Sequence, residues 1–257
     1  MIAAVLFFSV LWNCAPRVTT TESSKPIARP EEMLADLIRR SDSSQALKTR
    51  ARFFVDCEEG KFSARMILIA KRPSFLRVES VPVIGLPDLF MTADGHVLKI
   101  FLPNDGKFYI GRPTRKNLSL FFPVYLDEKD IISLVEGIPP AVGAKDTIMV
   151  GNMESGGYRI DLFSGGEKRQ TLWIEPASRR LVKVSRPADV DAAAYTAELT
   201  DYRHVGERDL PGRIRIVFEE PRRIIADIHL SDTEFTAVEE GSFNLEIPPG
   251  MVPLYLD

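Results

Sequence analysis

The sequence predicts a mainly β protein of the α+β class, in which a single antiparallel sheet curves strongly around its core. Apolar and polar residues alternate with a period of two through most of the chain after Lys48, as they do in strands with one buried face. Turn-forming residues separate successive runs by roughly 8 to 12 residues, and most runs follow each other without an intervening helix pattern. We therefore expect about 11 to 13 strands in one continuous series, without an internal repeat.

The composition is that of an ordinary globular protein. Of the 257 residues, 45% are hydrophobic, which excludes a disordered chain and allows a sizeable core. Lys and Arg number 33 against 36 Asp and Glu, and the formal net charge of −3 provides no basic footprint for nucleic acid. Two cysteines are too few for a disulfide scaffold. We expect no nucleic-acid partner.

The first residues of the chain predict export. The run Met1–Leu11 is apolar and uncharged, but it is shorter than the roughly 20 residues that span a bilayer, so we interpret residues 1–13 as a signal peptide. The run leads into Leu11-Trp12-Asn13-Cys14, which resembles a bacterial lipobox and predicts lipidation of Cys14. Trp12 and Asn13 are unusual in a lipobox, and no basic residue precedes the run. The alternative is an uncleaved signal anchor, or a start upstream of Met1.

The second cysteine bears on the same question. If Cys14 carries a lipid, Cys57 is left as a single thiol. Exported proteins are rarely left with an odd free thiol unless the other cysteine is consumed chemically, which favours lipidation. The opposing interpretation is a disulfide between Cys14 and Cys57, which would tether the N-terminal segment to a strand.

A flexible linker and a helix are predicted to follow. Residues 14–30 are rich in Ser, Thr, Pro and charged side chains, so we interpret them as a linker to a single domain over 31–257. A proline and two acidic residues then begin a helix, as favoured in a first turn. The helix is expected to continue toward Leu47, and its apolar face consists of Met33, Leu34, Leu37 and Ile38.

The predicted strands fall into two groups separated by a second helix. The alternation is clear in Phe62–Lys71 and Leu76–Glu79, and Asp94-Gly95 is the strongest hairpin signal in the chain. Further alternating runs extend from Asp146 to Phe235. Between the two groups, Asp127–Val135 is predicted as a helix with Asp127 as its N-cap and a glycine beyond its end.

No motif in the sequence predicts catalysis. His96, His204 and His229 each stand alone, without the spacing that places two imidazoles on one metal, and we expect them at surface or edge positions. Nucleophile elbows, phosphate-binding glycine loops and paired-cysteine metal motifs are absent from the sequence. We therefore expect neither a cofactor nor a metal, and not an enzyme. A pair of facing carboxylates, as in glycosidases, stays open as the alternative.

One loop is unusual for its apolar character. Val81–Pro87 contains two prolines and a glycine, so it is not a central strand, yet its other residues are apolar. Ordinary loops lie at the surface and are polar. The side chains of Val83, Ile84 and Leu86 therefore either fold back onto the core or project into a membrane or a partner's groove.

The order of these features resembles the LolB-like outer-membrane lipoproteins of the LolA/LolB superfamily. The resemblance extends over most of the chain after residue 13 and depends on order and spacing more than on any single motif. Its elements are the lipobox-like Cys14, the linker, the first helix, Lys71-Arg72-Pro73, Leu76-Arg77-Val78-Glu79, Val83-Ile84-Gly85-Leu86, Asp94-Gly95, Lys107–Gly111, the helix Asp127–Val135 with Gly137-Ile138-Pro139, and Phe243–Pro248 as a closing strand.

The resemblance implies an incomplete antiparallel β-barrel with helices that form a lid over an apolar cavity. It also implies a monomer that is lipid-anchored in the bacterial outer membrane, faces the periplasm and receives acylated proteins from a soluble LolA-like carrier. The resemblance implies that an apolar residue on a protruding loop enters the membrane, and the position here most like it is Ile84 or Leu86. Val83 belongs to the same candidate membrane-insertion loop. The implied partners are the acyl chains of lipoproteins or lipids. The alternative is an accessory lipoprotein that docks a partner through the loop, without lipid transfer.

Candidate cavity residues are those at inward-alternating strand positions and on helix stripes. They are Met66, Leu68, Val78, Leu98, Ile100, Leu134 and Trp173. The alternative for each of them is an ordinary position in the core.

Overall fold

We describe the protein from a computed structural model. The described residues are 29–40, 45–142, 147–154, 157–189 and 192–256. Cys14, the predicted signal peptide over 1–13 and all but the last two residues of the predicted linker lie outside these ranges.

Sixteen strands and three α-helices occur in the described ranges. The helices are α1 (Pro30–Arg40), α2 (Arg115–Ser119) and α3 (Glu128–Val135). The strands are β1 (Ala46–Cys57), β2 (Gly60–Lys71), β3 (Phe75–Ser80), β4 (Phe90–Ala93), β5 (Leu98–Leu102), β6 (Lys107–Gly111), β7 (Ile148–Glu154), β8 (Gly157–Ser164), β9 (Glu167–Ile174), β10 (Leu181–Arg186), β11 (Tyr195–Thr200), β12 (Arg203–Val205), β13 (Arg208–Leu210), β14 (Arg213–Phe218), β15 (Ile224–Thr236) and β16 (Leu254–Tyr255).

Fourteen of these strands form one long sheet. Their order is β16-β6-β5-β4-β3-β2-β1-β15-β14-β11-β10-β9-β8-β7, and all neighbours are antiparallel except β16 and β6. The two meanders β1–β6 and β7–β11 meet where β15 returns beside β1. The sheet is curved, but it does not close into a barrel because β16 and β7 are both edge strands. The mainly β class and the incomplete barrel are confirmed.

The strand count exceeds the prediction by a small margin. The sequence predicted about 11 to 13 strands, whereas the sheet has fourteen. The two-residue β16 is too short to show alternation. The predicted strand from Tyr195 to His204 is divided into β11 and β12, and β12 pairs with β13 in a separate two-stranded sheet.

The two faces of the sheet differ in the way that the alternation predicted. In β14, Ile214, Ile216 and Phe218 are buried on the inner face, whereas Arg213 and Arg215 lie on the outer face. The inner face and the segments that cover it form one apolar core. The sheet therefore buries one face against a single core and leaves the other face to solvent.

The first helix is shorter than predicted. The sequence favoured a helix continuing toward Leu47, but α1 ends at Arg40 and Leu47 is a buried residue of β1. The intervening sequence Ser41-Asp42-Ser43-Ser44 lacks apolar residues and consists of residue types with a weak helix propensity. Met33, Leu34 and Leu37 are buried as the apolar face predicted.

The C-terminal segment also differs from the prediction. Phe243–Pro248 is not a strand, because Phe243 ends a short 3₁₀ turn and the following residues are irregular. This segment crosses the outer face of the sheet, where the Arg77 guanidinium donates to the Ser242 carbonyl at 2.7 Å. The ring of Phe243 lies 5.3 Å from that of Phe75. The closing strand of the chain is instead β16, beside β6.

Candidate functional site

A small apolar cavity lies between the inner face of the sheet and a covering segment. We define the lid as residues 121–135, which comprise an irregular stretch of turns and bends followed by helix α3. The cavity has a volume of about 40 Å³. Its lining side chains are Phe53, Leu68, Val78, Met91, Ile214, Ile216 and Ile228 from the sheet, and Phe122, Val124, Leu126, Ile131, Leu134 and Val135 from the lid.

The sequence of the lid explains how it covers the sheet. Phe122, Val124 and Leu126 are buried and alternate with more exposed residues, so this irregular stretch packs its apolar side chains against the sheet. Asp127 then caps α3 by accepting a hydrogen bond from the Asp130 backbone N–H at 2.9 Å, as the sequence predicted. The stripe on α3 that includes Leu134 completes the cover.

The cavity is nearly filled by these side chains. Pockets that hold small ligands measure roughly 300 to 1,000 Å³, whereas this one measures about 40 Å³. An acyl chain does not fit in that volume. The structure therefore represents a closed arrangement, and a ligand could enter only if the lid moved away from the sheet.

Three of the predicted cavity residues line the cavity, namely Leu68, Val78 and Leu134. Leu98 and Ile100 are buried in β5, one strand further along the sheet than Met91, the last strand residue that lines it. Met66 is half-buried opposite Ala51 and packs against the core beside the cavity.

Trp173 lies on the opposite face of the sheet, which corrects its assignment to the cavity. Its neighbours Leu172 and Ile174 in β9 point inward, so the alternation directs Trp173 outward. There its indole N–H donates to Glu154 at 3.2 Å, and the ammonium of Lys183 lies 5.1 Å from its ring centre. The alternation of β9 was predicted correctly, but Trp173 was assigned to the inner face of the sheet instead of the outer face.

Other lining residues were not identified from the sequence. Ile214 and Ile216 belong to a strand whose alternation was recognised, and Phe122, Val124 and Leu126 show a short alternation of their own. The signal for each was therefore present. Which strands face the lid depends on pairing such as that of β1 with β15, and sequence periodicity does not reveal such long-range pairing.

A buried cluster of charges fixes the lid to the rest of the domain. The carboxylate of Asp130 on α3 is only 4% exposed and accepts hydrogen bonds from Arg115 at 2.9 Å and from Arg186 at 2.8 Å. Arg115 also pairs with Asp127 at 2.9 Å. Because Arg115 belongs to α2 and Arg186 to β10, this cluster connects the lid helix to two separate elements.

Burial shifts the protonation of two acidic groups of the lid helix. It raises the pKa of Asp130, and the nearby Asp127 raises it further, while the two guanidiniums oppose the shift. Burial also raises the pKa of Glu128 to about 7 from its ordinary value of 4.5. Glu128 is 3% exposed and, unlike Asp130, has no guanidinium among the causes of its shift. Deprotonation of Glu128 therefore disfavours the folded arrangement in which this side chain is buried.

The apolar loop, residues 81–89, joins β3 to β4 and projects from the domain. Its base is fixed because the Ser80 hydroxyl accepts hydrogen bonds from the backbone N–H groups of Asp88 at 2.9 Å and Leu89 at 3.1 Å. At its tip, Val83 and Leu86 are each 82% exposed and Ile84 is 91% exposed. Of the two arrangements that the sequence allowed, the loop has the projecting one.

The described residues contain neither a membrane-spanning helix nor a group of side chains suited to a metal ion. Among residues 29–256, less the gaps stated above, no helix is long and apolar enough to span a bilayer. Within the same part of the chain, His, Cys, Asp and Glu side chains do not gather into a group of three or more that could hold a metal ion.

Comparison with known proteins shows similarity in structure. A scan against protein-family models gives no match, and a search of curated protein sequences gives none either. A LolA superfamily protein from Nitrosomonas europaea has a similar structure, with a TM-score of 0.61 over 84% of this chain and 97% of that one, at 12% identity. The chain has the LolA-like fold.

Two other solved structures support the same conclusion. A domain described as an outer membrane lipoprotein-sorting protein, from Vibrio parahaemolyticus, has a TM-score of 0.59 at 14% identity, over 83% of this chain and 95% of that one. A DUF1329 family protein from Desulfovibrio piger has a TM-score of 0.62 at 13% identity, over 83% and 96%. The LolA-like fold thus extends over most of the chain. The likeness is to the superfamily and does not single out its LolB branch.

Proposed function

We propose that this protein is a lipid-anchored periplasmic lipoprotein that binds acyl chains under the lid and inserts them, or the lipoproteins that carry them, into the outer membrane. The observation that carries the proposal is the pairing of an apolar cavity under a lid with a projecting apolar loop in a LolA-like fold. Cys14 is the proposed site of the lipid anchor, and a LolA-like periplasmic carrier is the proposed donor. The protein would act as a monomer.

The chemistry of the cavity suits an acyl chain. Its lining consists of aliphatic and aromatic side chains from both the sheet and the lid. Each methylene group removed from water contributes about 0.8 kcal/mol, so a chain of ordinary length would offset the separation of the lid from the sheet. In this proposal the lid moves outward as a unit, and the acyl chain replaces its contacts with Leu68, Val78 and Ile216.

The proposed activity requires no bond to be made or broken. Every side chain that lines the cavity is apolar, so none can act there as an acid, a base or a nucleophile. We therefore propose a binding and transfer protein and not an enzyme. The Vibrio protein of similar fold is named for lipoprotein sorting, which agrees with this role.

The loop supplies the proposed contact with the membrane. An isolated apolar residue on a surface is ordinary, but Val83, Ile84 and Leu86 lie together at one tip. Their insertion into the bilayer would bring the cavity close to the lipid surface into which a cargo is delivered. An anchor at Cys14 would make that contact local, since two weak membrane signals together give stable attachment.

A matched pair of substitutions tests acyl binding. Ile216→Phe adds volume to the cavity, whereas Leu199→Phe adds the same ring system to a buried residue of neighbouring β11 that does not line it. In titrations with a fluorescent fatty acid, we expect Ile216→Phe to weaken binding at least tenfold and Leu199→Phe to leave it near the wild-type value. Each variant is first checked for a cooperative thermal transition, because added core volume destabilises by about 1 to 3 kcal/mol. Equal weakening in the two variants would contradict a role for the cavity.

The small volume of the closed cavity favours a second candidate function. At about 40 Å³ the cavity needs no ligand to be stable, and the exposed loop could instead dock a protein partner. In that case the protein is an accessory outer-membrane lipoprotein without transfer activity. Changing Ile84 and Leu86 to Glu distinguishes the two, because it abolishes liposome insertion under the first proposal and capture of a protein partner under the second.

A further inference from the structure

Two arginines stand opposite each other at the base of the apolar loop. Arg52 of β1 and Arg65 of β2 are directly paired in the strand register, and both are exposed on the outer face. Within the described part of the chain, neither guanidinium has a carboxylate partner within salt-bridge distance. Like charges in directly opposed positions destabilise a sheet. This pair therefore lacks a structural explanation.

Other arginines of the same outer face are neutralised. Arg50 pairs with Asp232 at 3.0 Å, and Arg77 pairs with Glu79 at 2.6 Å. Arg213 forms two hydrogen bonds with Asp227. Among the described residues, Arg215 of β14 also lacks a salt bridge, but it lies opposite Glu198 and Asp227 in the strand register, whereas Arg52 and Arg65 lie opposite each other.

The two arginines line a pocket that the loop itself helps to form. The pocket has a volume of about 420 Å³, and its lining also includes Val81, Pro82 and Val83 of the loop. The backbone N–H of Val81 donates to the carbonyl of Arg65 at 2.7 Å, so the loop begins directly beside that arginine. Asp88 is the one acidic residue of the lining, which leaves the pocket with a net positive charge.

The distances suit a lipid headgroup. Ile84 is the third residue after Val81, so the tip extends at most roughly 10 Å beyond the base of the loop. The headgroup layer of a bilayer leaflet is about 5 to 8 Å thick. With the tip in the hydrocarbon, the base of the loop and its arginines therefore lie at the level of the lipid phosphates.

We propose that Arg52 and Arg65 form a binding site for the phosphate of an anionic phospholipid headgroup, which they engage when the apolar loop enters the bilayer. Guanidinium groups bind phosphate oxygens through paired hydrogen bonds, and an anion between the two arginines removes their mutual repulsion. This inference rests on the loop insertion of the proposed function and names the lipid class that the loop recognises.

The test measures binding to two kinds of vesicle by co-sedimentation. One kind is phosphatidylcholine alone, and the other contains about one third phosphatidylglycerol. The protein begins at Ala15, without the lipid attachment site, because the sheet, the lid and the core described above all lie within residues 29–256. Four proteins are compared: the unchanged sequence, R52Q/R65Q, K116Q/K129Q and Ile84→Glu.

The double lysine variant is the charge-matched control. Lys116 and Lys129 line a separate cleft beside Gly95 and His96, at the other end of β4 from the loop. Both variants remove two positive charges, so a general loss of attraction affects them alike. R52Q/R65Q is expected to unfold at the same temperature as the wild type or higher, because it relieves a like-charge pair.

The expected result is a loss confined to the anionic vesicles. Each basic residue at an anionic surface strengthens binding roughly fivefold, so R52Q/R65Q should lose about 25-fold on the phosphatidylglycerol vesicles. K116Q/K129Q should lose less than twofold, and Ile84→Glu should lose binding to both vesicle types.

Two outcomes separate failure of this inference from failure of the proposed function. If R52Q/R65Q behaves like K116Q/K129Q while Ile84→Glu no longer binds, the headgroup site is wrong and loop insertion stands. If Ile84→Glu binds both vesicles as tightly as the wild type, loop insertion is wrong and the headgroup site fails with it.

Discussion

The apolar residues of the lid and those of the loop 81–89 have similar chemistry and opposite surroundings. Those of the lid pack against the sheet and leave a cavity of about 40 Å³, whereas the residues of the loop tip are 82 to 91% exposed. Burial in the core explains why the lid residues are apolar without any ligand, but no contact among the described residues explains why the loop tip is apolar. The loop therefore indicates a partner outside the molecule more directly than the cavity does.

The polar groups of the two regions differ in the same way. The lid is held by buried charges that are matched, with Asp130 between Arg115 and Arg186. The loop is fixed by backbone hydrogen bonds to Ser80, and the arginines at its base are unmatched. We infer that the charge cluster stabilises the lid in its position on the sheet, and that the loop region is suited to bind an external anion.

The largest effect is expected at the centre of the lid cluster. Asp130→Ala removes the buried carboxylate and leaves two partly buried guanidiniums without it, which should destabilise the protein by about 3 to 5 kcal/mol. Urea unfolding measures this loss. Arg50→Ala breaks an exposed pair with Asp232 and serves as the control, with an expected change of no more than about 1 kcal/mol. Similar losses in both variants would contradict a specific role for the cluster.

A single kind of substitution compares the two regions directly. Ile216→Ala in the cavity wall should cost about 2 to 5 kcal/mol, because it removes buried contacts and enlarges the void. Ile84→Ala at the loop tip should change stability by less than about 0.5 kcal/mol. Thermal unfolding of both variants checks this difference. A loss above 1 kcal/mol for Ile84→Ala would show that the loop packs on the domain in solution.

The stability of the lid should depend on pH through Glu128. Its pKa is raised from 4.5 to about 7 in the folded protein, so between these values the unfolded chain releases a proton that the folded protein keeps. Stability from this group therefore falls as pH rises from about 4.5 to 7, and the loss persists above that range. Glu128→Gln mimics the protonated form and should stabilise the protein by about 3 kcal/mol at pH 8.

The same variant should have almost no effect near pH 3, where the wild-type carboxyl is protonated in both states. Unfolding in urea at the two pH values measures the difference. Equal stabilisation at both pH values would show that replacement of the side chain, and not loss of its charge, is responsible.

Much of the fold could be predicted because it is encoded in local patterns. The alternation in β14, the N-cap at Asp127 and the proline-broken loop were all visible in the sequence. The phase of a strand is less secure than its period, and Trp173 shows this, since its indole hydrogen-bonds on the outer face. The end of a helix is also difficult to predict, since α1 ends at Arg40 and does not reach Leu47.

The remaining features depend on contacts between distant parts of the chain. Asp130 meets Arg186 across 56 residues, and Arg52 faces Arg65 only because β1 and β2 pair in one register. Neither pairing follows from composition or periodicity. The candidate site could therefore be predicted as a type of site, while its lining and its charged groups required the structure.

Acyl binding under the lid is tested by native mass spectrometry of the protein from Ala15 onward, exported to the periplasm behind an unrelated cleavable signal peptide and purified from there. We expect a mass increase equal to one phospholipid or fatty acid in the wild type and its loss in Ile216→Phe, with Leu199→Phe retaining it. An apo mass for the wild type, together with no uptake of a fluorescent fatty acid, would contradict acyl binding under the lid.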